Sequence, residues 1–379
     1  MRPSHVLPVC VAGLTVALAL VFFPKDFTNR TDAAQQPEPL HVQPAALAQA
    51  KAEFNQLEAR LQQSNAGFQV RYTKVFQSVI ALKNSYKASS GTLTAQAGPL
   101  TAEQQKRLDQ KAFDFAIHQV TGLRIPKNFM QVAKGLQAAP LPVKPRNAAP
   151  DPNAAAFDWR TANVVTPVRQ YLNNTGQDSC GCCWCFAAVA VFESSSLLQS
   201  GGNPDQLDAS EQEILNCGNN GGCQGDWYWT AWEFMKTHGT ASEANVPYTA
   251  APGACDQSVA TPYKVSAYDL VDAAKPIPDR QMIKDSLCRY GPLAIAVYAD
   301  DAFLAYAGGE KAFKGFASEP DNPNAKVNHA VTLIGWDNNK KAWLIKNSWG
   351  TDWGIGGYMW IDYDSNNVAF AAAWAQAHP

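Results

Sequence analysis

Residues 137–156 read Q-A-A-P-L-P-V-K-P-R-N-A-A-P-D-P-N-A-A-A. Five prolines in this stretch each lack a backbone N–H and fix φ, so neither a helix nor a strand of any length can cross it. The chain must therefore fold as unlike pieces joined near residue 156. Composition breaks at the same point. All eleven Trp lie at or after Trp159, and eight of the nine Cys lie at or after Cys180. Residues 1–156 carry a net charge of +8 and residues 157–379 a net of −10. A length of 379 residues allows two or three domains. The 46% hydrophobic content excludes a disordered chain, and a net charge of −2 gives no basic stripe for nucleic acid. No internal repeat is present. An exposed Pro/Ala linker is also a place for a protease to cut.

Val6–Phe23 is an uncharged apolar run of 18 residues, preceded by Arg2 and followed by Lys25 and Arg30. It reads as a signal peptide or signal-anchor over residues 1–24. Phe22, Phe23, Pro24 and Lys25 are poor cleavage residues, which favours an uncleaved, membrane-held anchor; Cys10 sits too early for lipid attachment. In either case the rest of the chain is expected to be exported, into a periplasmic, extracellular or lumenal space. Residues 25–44 form a Pro-containing tether. Residues 45–136 are expected to be a small helical segment. Leu47, Ala50, Phe54, Leu57 and Leu61 make one apolar stripe at helical spacing, and Phe68, Tyr72, Val75, Val79, Leu82 and Tyr86 a second. Thr101 with Gln104 forms a capping-box pattern that starts a third helix, running through Leu108, Phe115 and Val120.

Residues 177–192 read Q-D-S-C-G-C-C-W-C-F-A-A-V-A-V-F. A polar, Cys-rich run leads directly into a buried-type helix that Gly201 and Gly202 stop. A cysteine at a helix N-terminus is favoured as thiolate, the nucleophilic form. The spacing also leaves room for a zinc or thioredoxin-like site, since Cys180, Cys182, Cys183 and Cys185 contain two C-x-x-C pairs. Against metal, no second ligand knuckle occurs; against thioredoxin, no βαβ pattern surrounds the motif. Of the six His, His329 stands at the mouth of an apolar strand-like run, V-N-H-A-V-T-L-I-G-W. Alone it reads as a structural histidine. Asn347 follows another such run in W-L-I-K-N-S-W-G, and alone reads as a turn.

The block C-G-C-C-W-C-F resembles the C-G-S-C-W-A-F signature of the papain-like cysteine proteases. The resemblance implies Cys183 as nucleophile and Gln177, with the Cys183 backbone N–H, as the oxyanion hole. It continues through F-D-W-R, V-T-P-V-R, D-A-S-E-Q-E-I-L-N-C, G-G-C-Q-G-D-W, V-N-H-A-V and W-L-I-K-N-S-W-G-T-D-W-G, covering residues 157–370. It implies His329 as base, Asn347 as its orienting partner and Trp349 as a cover over their bond. His329 lies 146 residues after Cys183 and Asn347 164, against a family spacing of about 130–150. The implied fold is α+β with two lobes: a helical lobe carries Cys183, a β-barrel-like lobe carries His329 and Asn347, and a cleft runs between them.

Gly225, Asp226 and Trp227 match the family's substrate loop, and Ala296 and Ala330 match positions lining the adjoining subsite, with room for a sizeable hydrophobic side chain. The implied disulfides are Cys180–Cys223 and Cys217–Cys255. No cofactor or metal is implied. The sequence departs from the family in four places. Asp226 replaces a glycine, so its carboxylate must turn outward or meet the substrate backbone. Seven residues, Q-Y-L-N-N-T-G, separate Arg169 from Gln177. Cys182 replaces the serine beside the nucleophile. A third bridge has no partners, because Ala369 stands where a cysteine is usual. Ser210 with Glu213 also makes a capping-box pattern.

The expected function is an exported cysteine endopeptidase acting on peptides or proteins, made as a zymogen whose basic N-terminal segment inhibits the acidic catalytic region through complementary charge; the other reading of residues 45–136 is a permanent helical spacer or targeting module. Two other classes use the same residues: an acyl transferase or transpeptidase, in which an amine or thiol replaces water, and a non-catalytic peptide-binding module.

Overall fold

The first apolar stripe becomes helix α1 (Pro44–Gln63), with Ala46, Ala50, Phe54 and Leu57 buried. The structure, a computed structural model, describes residues 44–94, 100–126, 128–136, 150–172, 180–218 and 220–378. The apolar run at 6–23, most of the tether, residues 137–149 of the linker, Cys10 and Gln177 lie outside the described residues. Among those described, no helix is long and apolar enough to cross a membrane.

The second stripe divides. Phe68–Val70 is a strand, β1, and only Lys74–Thr94 is helix α2. Asn65, at φ 50, and Gly67, at φ +78, turn the chain between the end of α1 and β1, and β1 pairs antiparallel with β5 (Tyr306–Gly309) far along the sequence. Phe68 belongs to that pairing, so its helical spacing from Tyr72 is a coincidence overridden by tertiary contact. Helix α3 (Ala102–Val120) starts at Thr101 with both halves of the capping box made. A short α4 (Phe129–Gly135) follows.

After the linker, β2 (Ala156–Asp158) leads to α5 (Cys183–Ser200), α6 (Glu211–Cys217) and α7 (Tyr228–Thr237). Helix α5 is apolar on nearly every side, the pattern of a buried helix. Trp184, Phe186, Val189, Val191 and Phe192 are all buried, and Gly201 caps its end at φ 72. Only half of the second capping box forms. Ser210 Oγ accepts from the Glu213 N–H, but the Ser210 N–H donates to the Ala241 carbonyl, leaving Glu213 nothing to return. Cys180–Cys223 and Cys217–Cys255 are bonded; Cys182, Cys183, Cys185 and Cys288 are free and buried.

The remaining elements are β3 (Val265–Leu270), α8 (Arg280–Tyr290), β4 (Leu293–Val297), α9 (Asp301–Leu304), β5, β6 (His329–Asp337), β7 (Ala342–Lys346), β8 (Tyr358–Asp362) and β9 (Phe370–Ala377). A seven-stranded sheet runs β3-β9-β4-β6-β7-β8, with β2 added beside β6. Every pairing in it is antiparallel. Strands β4, β7 and β9 are buried at every residue, and α5 packs against β4, β6 and β9. The result is an α+β chain in which α5 meets the start of β6, and Cys183 meets His329 there.

Candidate active site

Cys183 is the first residue of α5, with Cys182 as its N-cap. Its sulfur accepts a hydrogen bond from the Ala330 N–H at 3.3 Å. His329 begins β6, and Asn347 follows the end of β7 directly. Register brings these two strands together: Thr332 faces Lys346. His329 Nε2 and Asn347 Oδ1 lie 2.9 Å apart, which leaves Nδ1 as the ring nitrogen without a partner. The Trp349 ring lies flat on the imidazole, 4.3 Å between centroids and 13° between planes. Stacking at that distance keeps water from the His329–Asn347 bond. Trp349 is held in turn: its Nε1–H donates to Tyr171 Oη at 2.7 Å, and Phe303 meets it edge-on at 5.8 Å.

A strap of the N-terminal segment, Thr121–Arg124, fills the space over Cys183. The Cys183 N–H donates to the Thr121 carbonyl at 3.0 Å. The Leu123 N–H is aimed at the Cys183 sulfur. Leu123 then bridges in parallel with Asp226, and the Arg124 N–H reaches the Asp226 carbonyl at 3.4 Å. Three glycines permit this approach. A Cβ on Gly122, which sits at φ +80, would lie 1.9 Å from the Gly181 carbonyl oxygen. A Cβ on Gly225 would lie 1.9 Å from the Gly122 oxygen, and one on Gly181 would meet the Gly122 Cα at 2.8 Å. Only backbones fit here.

The strap sets the electrostatics. Burial pushes the Cys183 thiol up, outweighing the N–H groups of Ala330, Trp184 and Leu123 that favour thiolate. Burial likewise pushes His329 down to about 3, against the opposing bond to Asn347. The helix-terminus argument alone predicts a lowered thiol; excluding water reverses it. Burial thus opposes charge on both members of the pair. Beneath Asn347, burial lowers Lys346 to about 8, with Glu193 acting against it. Lys346 donates to Thr166 Oγ1 at 3.0 Å, and Thr166 donates to Glu193.

The other expected site residues sit as follows. Ala296 and Ala330 face each other across β4 and β6, both fully buried. Gly225 and Asp226 lie against the strap. Trp227 is covered, its ring 6.0 Å from that of Phe129 in α4. The Asp226 carboxylate takes neither expected direction: it folds back into its own loop and accepts from Gly221 N–H, Trp227 N–H and Thr230 Oγ1, each at 2.8 Å. The zinc reading loses a ligand, since Cys180 is bonded to Cys223. Sequence reasoning missed Tyr171 and the strap. The available signal for the strap was Gly122, a glycine directly after a helix.

A family profile described as papain family cysteine protease matches residues 153–376. A senescence-specific cysteine protease of Arabidopsis thaliana is 33% identical over 229 residues, 59% of this chain and 60% of that protein. The viral cathepsin of the Lymantria dispar multicapsid nuclear polyhedrosis virus is 29% identical over 288 residues, 75% of this chain and 73% of that one. Among solved structures, the digestive procathepsin L2 proteinase from Tenebrio molitor larval midgut has a TM-score of 0.55 and 25% identity, covering 87% of this chain and 99% of its own. The chain spans about 60% of the length of the Arabidopsis relative. With the profile matched over more than half its length and the expected cysteine, histidine and asparagine gathered at one place, this chain belongs to the papain family of cysteine proteases.

Proposed function

We propose that the chain is an exported cysteine endopeptidase made as a zymogen. Cys183 is its nucleophile, His329 its acid and base, and Asn347 the group that orients His329. The observation that carries this reading is the single imidazole held on one side by Asn347 and covered by Trp349, with its neighbour's N–H on the Cys183 sulfur.

In the open site the Cys183 proton passes to His329, and the thiolate sulfur attacks the substrate carbonyl carbon. The C=O electron pair moves onto oxygen, where the Cys183 backbone N–H, now given to Thr121, becomes available, with Gln177 as the second donor. Collapse breaks the C–N bond, and His329 gives its proton to the leaving amine. The product is a thioester. His329 then takes a proton from water, whose oxygen attacks the thioester carbonyl, and the sulfur leaves. Water, peptide acid, amine and restored thiol balance the sequence.

Latency is supported by the strap. A carbonyl of the same chain occupies the Cys183 N–H, and Leu123 lies opposite Asp226, where the substrate backbone would run. Export is supported by the two disulfides and by the apolar N-terminal run. The test is incubation of linker-cleaved protein with a peptide-based thiol-reactive epoxide, mapped by mass spectrometry, beside hydrolysis of a fluorogenic peptide. Labelling at Cys183 with loss of hydrolysis is expected; label elsewhere, or transfer to added amine without hydrolysis, defeats the reading.

A further inference from the structure

The substrate loop has a built-in problem. Its Gly221, Gly222 and Gly225 leave the backbone mobile, yet its Asp226 carbonyl must hold an extended peptide in place, as it now holds the Arg124 N–H. The Cys180–Cys223 bond anchors one side of the loop. On the other side stands a carboxylate where the family resemblance places a glycine. Asp226 Oδ2 accepts from the Gly221 N–H, and Oδ1 accepts from both the Trp227 N–H and the Thr230 hydroxyl. These bonds tie the start of the loop to the first turn of α7. Hydrogen bonds to a charged acceptor are the stronger kind.

We infer that Asp226 is a positioning residue whose side chain braces the loop so that its own backbone carbonyl is fixed for pairing with the substrate. The brace replaces the freedom of a glycine with a loop ordered before binding. Preorganisation of this type lowers the cost of association without touching the bond-making step. Its signature is therefore in KM and not in kcat. This rests on the peptidase reading above.

The test uses the full chain activated by cleavage in the linker. Asp226→Ala, Asp226→Asn and Thr230→Val are compared with wild type on fluorogenic peptides, after active sites are counted with the epoxide. Asp226→Ala is expected to raise KM about tenfold with kcat within about twofold. Asp226→Asn, which keeps one acceptor oxygen, is expected to fall between, and Thr230→Val to move KM the same way by less. An unmoved KM in titratable Asp226→Ala overturns the inference, as does a fall in kcat at constant KM. If Asp226→Ala yields no titratable sites, the Asn and Val variants decide by the same criterion. Wild-type protein that hydrolyses no peptide would instead overturn the peptidase reading itself.

Discussion

Residues 180–378 bury Trp184, Trp227, Trp232, Trp336, Trp343 and Trp353 and close two disulfides. Residues 44–136 contain no Trp and no Cys. They have a small aromatic centre of Phe54, Tyr72 and Phe76, with rings 5.5–5.9 Å apart. Their attachment to the catalytic region is of another kind. Strand β1 pairs with β5. The Arg71 N–H bonds the Ala305 carbonyl, and its guanidinium bonds the Asp352 carbonyl. The Thr73 hydroxyl bonds the Leu304 carbonyl, and the strap crosses Cys183 on backbone contacts. The catalytic region is held by buried aromatic area and two disulfides; the N-terminal segment docks by backbone pairing and two aromatic plugs, Phe68 on Tyr306 and Phe313 and Phe129 on Trp227 and Phe370, and neither disulfide reaches it. The first kind cannot be undone without unfolding; the second can be released.

That contrast predicts a series of effects. Cys183→Ala should separate chemistry from docking. Peptide hydrolysis by the linker-cleaved protein should fall about 10⁴-fold or more, while the melting transition of the intact chain stays in place. Residual activity within a factor of ten of wild type would break the assignment.

Gly122→Val should act oppositely. A side chain cannot fit between Gly181 and Gly225, and φ +80 is strained for valine. Loss of the strap's fit should cost roughly 3 kcal/mol or more, so the intact chain should gain about 100-fold in initial activity. The linker-cleaved enzyme should melt as wild type does. An intact Gly122→Val chain as inactive as its parent would sink the strap as the inhibitory contact.

Acid should weaken the docking more gradually. Docking sets His118 of α3 on the Gln224 carbonyl, 3.0 Å from Nε2, where burial and then the Arg124 charge hold it below its ordinary value of 6.5. Released, it returns toward that value, so the docked state binds fewer protons than the open one. Docking is fully present above the open-state value and is lost as pH falls from there through the docked-state value. Initial rates of the uncleaved chain, with integrity checked on a gel, should rise as pH is lowered from about 7 to about 4. A fall over that range, with the cleaved enzyme still active, would contradict the sign.

Salt should do least. The opposite net charges of the two parts suggest electrostatic docking, but among the described residues the ion pair that crosses between them, Arg60–Asp301, is exposed, with side chains 67% and 44% accessible. Such pairs contribute ~0–1 kcal/mol and are screened. Latency should change by less than about threefold between 0.05 and 0.5 M salt, a rough bound from screening of one exposed pair. A tenfold change would restore long-range charge as the docking force.

Much of this was legible in the sequence. The α1 stripe, the Thr101 capping box and the glycine stop of α5 are all set by local periodicity or capping, which act within a few residues. Cys183, His329 and Asn347 stood out through the blocks around them. The misreadings are non-local. Phe68 left its helical stripe to pair with residues some 240 positions away, and Ser210 gave its N–H to Ala241. Asp226 turned into its loop because Thr230 and two amides were waiting there.

By itself, then, the sequence determined where α1, α3 and α5 lie and which cysteine, histidine and asparagine come together. These follow from side-chain period, backbone restriction and residue type. Only the tertiary structure decided that a glycine would thread between Gly181 and Gly225, that burial would oppose charge on the cysteine and histidine beneath it and that the Asp226 carboxylate would turn into its own loop. Burial and close approach depend on which distant segments meet, and no local pattern encodes that.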